Sequence, residues 1–146
     1  MNLSKTGVVA ASALAMAVAF ATPAAADFWW ETDEGKLYFD GASGNWGVFR
    51  FLDNNSNIKQ DVAIYINGMG PQYTGTGLKP GTYDAQWFDY TDNDCGREAV
   101  DPDGKVARSW GVMSFTVKQD YNYFTADVWQ CENNKPMGKF NGTPGK

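Results

Sequence analysis

The chain has 146 residues, 12 basic against 17 acidic, a formal charge of −5 and no histidine. A chain of this size suits one domain, and an acidic surface without a basic run repels phosphate backbones and anionic membrane surfaces, so nucleic acid is not an expected partner. The absent imidazole removes Ser-His-Asp and Cys-His nucleophilic sites in their usual form, and with them histidine-ligated zinc or copper.

The first segment reads as an export signal. Lys5 gives a short positive start, residues 7–20 (GVVAASALAMAVAF) are apolar, and Ala24-Ala25-Ala26 supplies a small-residue cleavage pattern before Asp27. About 14 apolar residues are too few to cross roughly 30 Å of hydrocarbon. A cleaved signal peptide over residues 1–26 is expected, with no membrane span after cleavage. The protein is expected to be secreted, to the exterior or to a periplasm. Export brings Cys95 and Cys131, the two cysteines, into an oxidising compartment, where a disulfide between them is the plain reading. Its closed loop of roughly 35 residues would contribute about 3–4 kcal/mol. A catalytic thiol has no histidine to generate its thiolate.

Strand patterns follow in order. Asp27–Glu31 carries Trp29 and Trp30, which a strand points to opposite faces. Lys36–Asp40 is a short strand and Gly41–Gly44 a turn. Trp46–Leu52 alternates, with Phe49 and Phe51 on one face and Trp46, Val48 and Arg50 on the other, where Arg50 points to water. Asp53–Asn57 is a turn cluster, Asp61–Ile66 a strand with Val62, Ile64 and Ile66 inward, and Asn67–Gly77 a glycine-rich loop. In Thr82–Tyr90, Tyr83, Ala85 and Trp87 face inward, while Thr82, Asp84 and Gln86 mark a wet face that also carries Phe88 and Tyr90. A polar loop over Asp92–Lys105 precedes a strand with Met113, Phe115 and Val117 inward, and Tyr121–Cys131 turns Phe124, Ala126 and Val128 inward. Asn133–Lys146 is rich in Gly, Pro, Asn and Lys and reads as a flexible C-terminal tail.

No segment sustains a 3.6-residue apolar period with capping signals. Roughly six to eight short strands separated by turn signals predict an all-β fold. The expectation is a single antiparallel β-sandwich, immunoglobulin-like or jelly-roll-like, over residues 27–132 with one disulfide, and a closed β-barrel as second choice.

Carboxylates remain as potential chemistry. Glu31, Asp84, Asp89, Glu98 and Asp127 could in principle supply a pair for glycoside hydrolysis, but their spacing selects no pair. Asp89, Asp92, Asp94, Asp101 and Asp103 gather oxygen ligands in one loop region, which fits calcium, the only cofactor the chain suggests. Asp53–Asn57 is a weaker candidate of the same kind. The competing reading is that Asp, Asn and Gly stand there because they form turns.

Aromatic residues make up 15% of the chain. Strand parity places Trp46, Tyr65, Phe88, Tyr90, Trp110, Tyr121, Tyr123 and Trp129 on faces that otherwise look polar. Flat rings beside Asp, Asn, Gln and Thr would suit a sugar, or a protein interface anchored by Trp and Tyr. Alternatively, the rings form a second core layer or the parity is reversed by a bulge.

The segment Leu78-Lys-Pro80-Gly81-Thr-Tyr83 resembles the L-x-P-G-x-Y strand opening of exported bacterial immunoglobulin-like and prealbumin-like sandwich domains. Tyr83–Asp89 is similar to small β-sandwich modules appended to glycoside hydrolases. The resemblance covers one turn and one strand, and it implies a sandwich with an accessory or binding role. The cysteine pair and the long loop Thr91–Lys105 depart from both patterns. The resulting expectation is a secreted, non-catalytic module that binds an extracellular glycan or protein through aromatic side chains. Its rivals are a self-associating surface-layer or fibre subunit, stabilised by calcium, and a small carboxylate-dependent glycan hydrolase.

Overall fold

Turn chemistry decides which strands become neighbours. Asp33 and Glu34 form a two-residue turn in which the Thr32 hydroxyl donates to the Gly35 carbonyl (2.6 Å) and accepts from the Glu34 amide (3.2 Å). Gly44 and Asn45 form the next one, with Gly44 at φ +56°, a backbone state that suits a residue without Cβ. Asp53 organises the following loop, its Oδ1 accepting from the amides of Asn55 (2.8 Å) and Asn57 (2.9 Å). Those bonds, with one from the Asn57 side-chain amide, hold the Asp53 carboxyl below its ordinary pKa. Turn formation thus accounts for this cluster.

The computed structural model describes residues 29–70, 79–118, 123–132 and 135–145. The expected signal peptide and Tyr121 lie outside them. Ten strands run in chain order: β1 (Trp29–Thr32), β2 (Gly35–Ser43), β3 (Trp46–Phe51), β4 (Val62–Asn67), β5 (Gly81–Asp89), β6 (Ala99–Val100), β7 (Val106–Ala107), β8 (Ser109–Val117), β9 (Phe124–Gln130) and β10 (Lys135–Pro144). Eight of them close into one antiparallel barrel in the order β1-β10-β9-β8-β5-β4-β3-β2, and β6 pairs with β7 as a separate hairpin. Apart from that hairpin, the barrel is a meander in which each strand pairs with the next.

The sandwich expectation is therefore corrected to the barrel. Residues 135–144, expected as a flexible tail, form β10 and pair with both β9 and β1, so the domain extends past residue 132. The physical reason is what β10 contributes inward. Phe140 packs against Phe124 and Phe51, and Gly142 leaves room for the Phe124 ring, which a Cβ there would overlap. Gly41–Gly44, expected as a turn, is mostly strand. The β2–β3 register slips between Phe39 and Gly41, so Asp40 is an extra residue whose carboxylate reaches Arg50 at 2.9 Å.

Inward parity holds on every strand where it was read. Phe49, Ile64, Ile66, Ala85, Met113, Phe115, Val117, Phe124 and Ala126 share one buried core with Trp30, Leu37 and Met69. Its centre is aromatic: Phe115 stacks on Phe124 at 4.3 Å, and Trp30 meets Phe124 edge-on at 4.8 Å. Met69 plugs this end of the barrel, where the amides of Gly68 and Gly70 both donate to the Asn45 carbonyl. Outward positions such as Lys36, Asp84, Asp127 and Lys139 carry charge, the reverse of a lipid-facing barrel wall.

A second cluster lies outside the wall. Val48, Ala63, Tyr65 and Phe88, on the outer faces of β3, β4 and β5, are buried together with Ala107 of β7. The segment between β5 and β8 covers them, and the Cys95–Cys131 disulfide (Cα–Cα 5.5 Å) ties that segment to the end of β9. Amide bonds from Cys95 to the Arg108 carbonyl (3.0 Å) and from Cys131 to the Trp110 carbonyl (2.9 Å) flank the bridge.

Two outcomes test this account. Truncation after Glu132 removes β10, and loss of a cooperative urea transition is expected; a truncated chain with the parent's midpoint would refute the closing role. Cys95→Ser with Cys131→Ser should lower the unfolding free energy by about 3 kcal/mol in the same assay, with the fold retained.

Candidate functional site

Aromatic rings fill one end of the barrel, and the other end is open. An eight-stranded barrel has an interior just wide enough for side chains or one small ligand, and here both conditions occur along one axis. The open mouth encloses about 490 Å³. Its walls are the inward residues Phe51, Ile64, Trp87, Met113, Val128 and Phe140, with Met137 at the register slip near the start of β10. Its rim carries Glu34, Lys59, Asp61, Asp89 and Lys139.

Trp87 gives the mouth its fixed shape. Its indole Nε1 donates to the Trp129 carbonyl at 3.0 Å, so the ring lies against the backbone of β8 and β9. Gly111 makes that approach feasible, because a Cβ there would sit 2.5 Å from the Trp87 nitrogen. The indole therefore offers a ligand its apolar surface, with its one donor already used.

The rim is acidic on balance. Lys59 pairs with Asp61 at 3.5 Å, and Lys139 pairs with Asp127 at 2.6 Å. Both pairs are solvent-exposed and contribute little to stability. Asp89 Oδ1 accepts from the Thr91 amide (2.8 Å) and hydroxyl (2.7 Å), and Oδ2 has no partner among the described residues. Glu34 is exposed and without a side-chain partner among them.

The aromatic residues singled out from sequence divide into three groups. Phe88 is buried, at 2% exposure, and Tyr65 is fully buried; Tyr90 and Trp110 pack against them, so these rings form the second core layer. Burial under the β5–β8 segment removes Tyr65 and Phe88 from a binding face, whereas Tyr90 and Trp110 stay half-buried at the edge of this layer, as does Trp46. Trp46 and Trp129 are half-buried on the outer wall, and Tyr123 is exposed. Tyr121 lies outside the described residues.

The acidic residues proposed for calcium do not converge. Asp101 and Asp103 turn to the wall, Asp94 accepts from the Ser109 hydroxyl at 3.0 Å, Asp89 holds Thr91, and Asp92 is exposed. Among the described residues no group of three or more carboxylates or cysteines is placed to share a metal ion. The hydrolase candidates are likewise separated. Asp89 is at the mouth, Asp84 and Asp127 are on the outer wall, Glu31 accepts from the Trp29 indole, and Glu98 pairs with Arg108.

What Asp101 does is hold the outer layer. It is 4% exposed. Its Oδ2 accepts from the Tyr65 hydroxyl (3.1 Å) and from the Tyr90 hydroxyl, while Oδ1 accepts from the amides of Asp103 (2.8 Å) and Lys105 (2.9 Å). Asp103 lies 2.9 Å from the same Tyr65 hydroxyl and accepts from Ser43 at 2.5 Å. Burial and these carboxylates push both tyrosines well above the ordinary phenol pKa. Burial raises the Asp101 pKa, but the bonds from Tyr90, the Lys105 amide, Tyr65 and the Asp103 amide outweigh it, and the net shift is downward. Close by, buried Arg50 uses Nε on Asp40, and its Nη1 has no partner among the described residues.

Comparison with protein-family models, with curated proteins and with solved structures gives no match for this chain. The site is therefore defined by its own geometry.

The pH behaviour follows from Asp101. Its folded-state pKa lies below the 3.8 of a free carboxyl, so its contribution is complete above that value and is lost as pH falls through the folded pKa. Asp101→Asn should cost about 1.5–3 kcal/mol at neutral pH, the range for hydrogen bonds to a charged group. In urea titrations the gap between variant and parent should narrow as the pH is taken below the carboxylate range. A gap independent of pH would refute the assignment.

Proposed function

We propose that the protein is an exported, non-catalytic binding module that takes a small, largely apolar molecule into the open mouth of its barrel. One observation carries this reading: an apolar hollow of about 490 Å³ bounded by inward side chains of β3, β4, β5, β8, β9 and β10. That volume falls within the roughly 300–1,000 Å³ of small-molecule sites, which favour the mouths of β-barrels. The walls offer rings and aliphatic groups but no free donor, so the ligand's body is apolar. Unpaired acceptors on Asp89 and Glu34 favour a neutral or positively charged donor group at the rim.

The disulfide and the leader-like first residues support export. The dispersal of the carboxylates supports a binding role over hydrolysis.

A neutral fluorescent probe, N-phenyl-1-naphthylamine, tests the reading. Saturable binding at one site is expected, with fluorescence transfer from Trp87. Val128→Trp, which fills the mouth, should lower the affinity at least tenfold, about 1.4 kcal/mol or more. Asp89→Asn should leave the neutral probe's affinity unchanged and weaken an aminoalkyl derivative of it. No saturable binding by the parent, or equal binding by Val128→Trp, would overturn the proposal.

A further inference from the structure

The outer wall carries a second hollow that the mouth does not explain. It encloses about 260 Å³ and lies between Trp46 at the start of β3 and Trp129 near the end of β9. Asp84, Gln86 and Ser114 stand between the two indoles. Asp84 pairs in register with Ser114, and Gln86 with Val112, so these polar groups form a compact patch on adjacent strands.

Hydrogen bonding within the chain leaves the polar groups of this patch open. Several polar side chains of the outer wall are satisfied within the chain: Thr82 bonds Thr116 at 3.0 Å, Asp127 pairs with Lys139, and Tyr65 and Tyr90 bond Asp101. Asp84, Gln86 and Ser114 make no side-chain bond to any described residue, and neither do the Trp46 and Trp129 indole N–H groups. Trp46 has a ring neighbour, and Trp129 is anchored through its backbone. Trp46 meets Tyr65 edge-on at 6.5 Å, and the Trp129 backbone is held by Trp87 and lies two residues before the disulfide.

We infer that this groove binds a neutral saccharide. A pyranose presents apolar C–H faces and, around its rim, hydroxyls that both donate and accept. The groove offers the matching set: indole surfaces, a carboxylate acceptor, and an amide and a hydroxyl that do both. The groove holds Asp84 and no cation, while the nearby Lys139 is paired with Asp127, so acidic sugars are disfavoured. A flat apolar protein patch fits less well, because it would bury Asp84, Gln86 and Ser114 without partners, at a cost for each. The groove lies on the outer side of the β5–β8 wall and the mouth on its inner side, with Met113 lining both.

Titration of the full chain with α- and β-linked oligosaccharides of glucose and of mannose, followed by ¹H–¹⁵N NMR, tests the inference. Saturable shifts of the Trp46 and Trp129 indole N–H signals are expected with at least one neutral series, with the Trp30 signal unmoved. Trp129→Ala and Gln86→Ala should each lower that affinity at least tenfold while N-phenyl-1-naphthylamine binding persists. Gln86→Ala is an exposed-face change that keeps the test valid if a tryptophan variant fails to fold. Absence of shifts with every neutral series at millimolar sugar would overturn the inference, as would undiminished affinity in both variants. Shifts that Val128→Trp abolishes would place the sugar in the mouth and overturn it equally.

Discussion

Closure of the barrel by the pairing of β1 with β10 is the constraint on which the other features rest. Once Trp30 stands opposite Pro144 and Leu37 opposite Trp30, all eight strands must direct their inward residues into one narrow interior. Phe49, Phe115, Phe124 and Trp30 fill one end, and the smaller or more widely spaced Ile64, Met113 and Val128 leave the other end hollow. Rings of this size fit only because neighbouring strands present glycine. Gly142 admits Phe124, Gly111 admits Trp87, and Gly47 admits Met69, whose Cβ would lie 2.9 Å from a Cβ at that position. The filled end supplies burial energy, and the open end is where a ligand site can exist.

The inward set was legible in the sequence because a strand's period of two leaves little choice. Phe49, Val62, Ile64, Tyr83, Trp87, Met113, Phe115, Phe124 and Val128 all face the interior, as alternation requires. The closing strand was not legible. Lys135–Pro144 has one large inward residue, Phe140, and its Gly, Pro and Asn resemble a tail until Gly142 is seen beneath Phe124. Alternation also cannot tell a sandwich from a barrel, since both require the same parity. That difference lies in whether the first and last strands meet, which is a long-range fact.

The outer aromatics illustrate a second limit. Parity placed Tyr65 and Phe88 outside the wall, and they are outside it, yet they are buried, because the β5–β8 segment folds over them. The sequence cue was the Asp101-Pro102-Asp103-Gly104 run, whose oxygens suggested a metal. In the fold Asp101 closes the β6–β7 turn and takes two tyrosine hydroxyls, so its charge is stabilised by donors within the chain. Trp129 lies outside this cluster, and Trp46 packs at its edge against Tyr65. The mouth was half visible: Trp87 and Val128 were assigned inward, but nothing local to either residue indicates that the space before them is empty.

Closure has one further consequence, for how copies of the chain can meet. Because β1 is four residues long, residues 135–141 of β10 and residues 39–43 of β2 have a strand neighbour on one side only among the described residues, and such an edge is the template that strand addition needs. The β6–β7 hairpin adds edges only two residues long. Where β1 pairs with both β2 and β10 the wall offers no such edge; edge-to-edge joining of copies is confined to the stretches beside it.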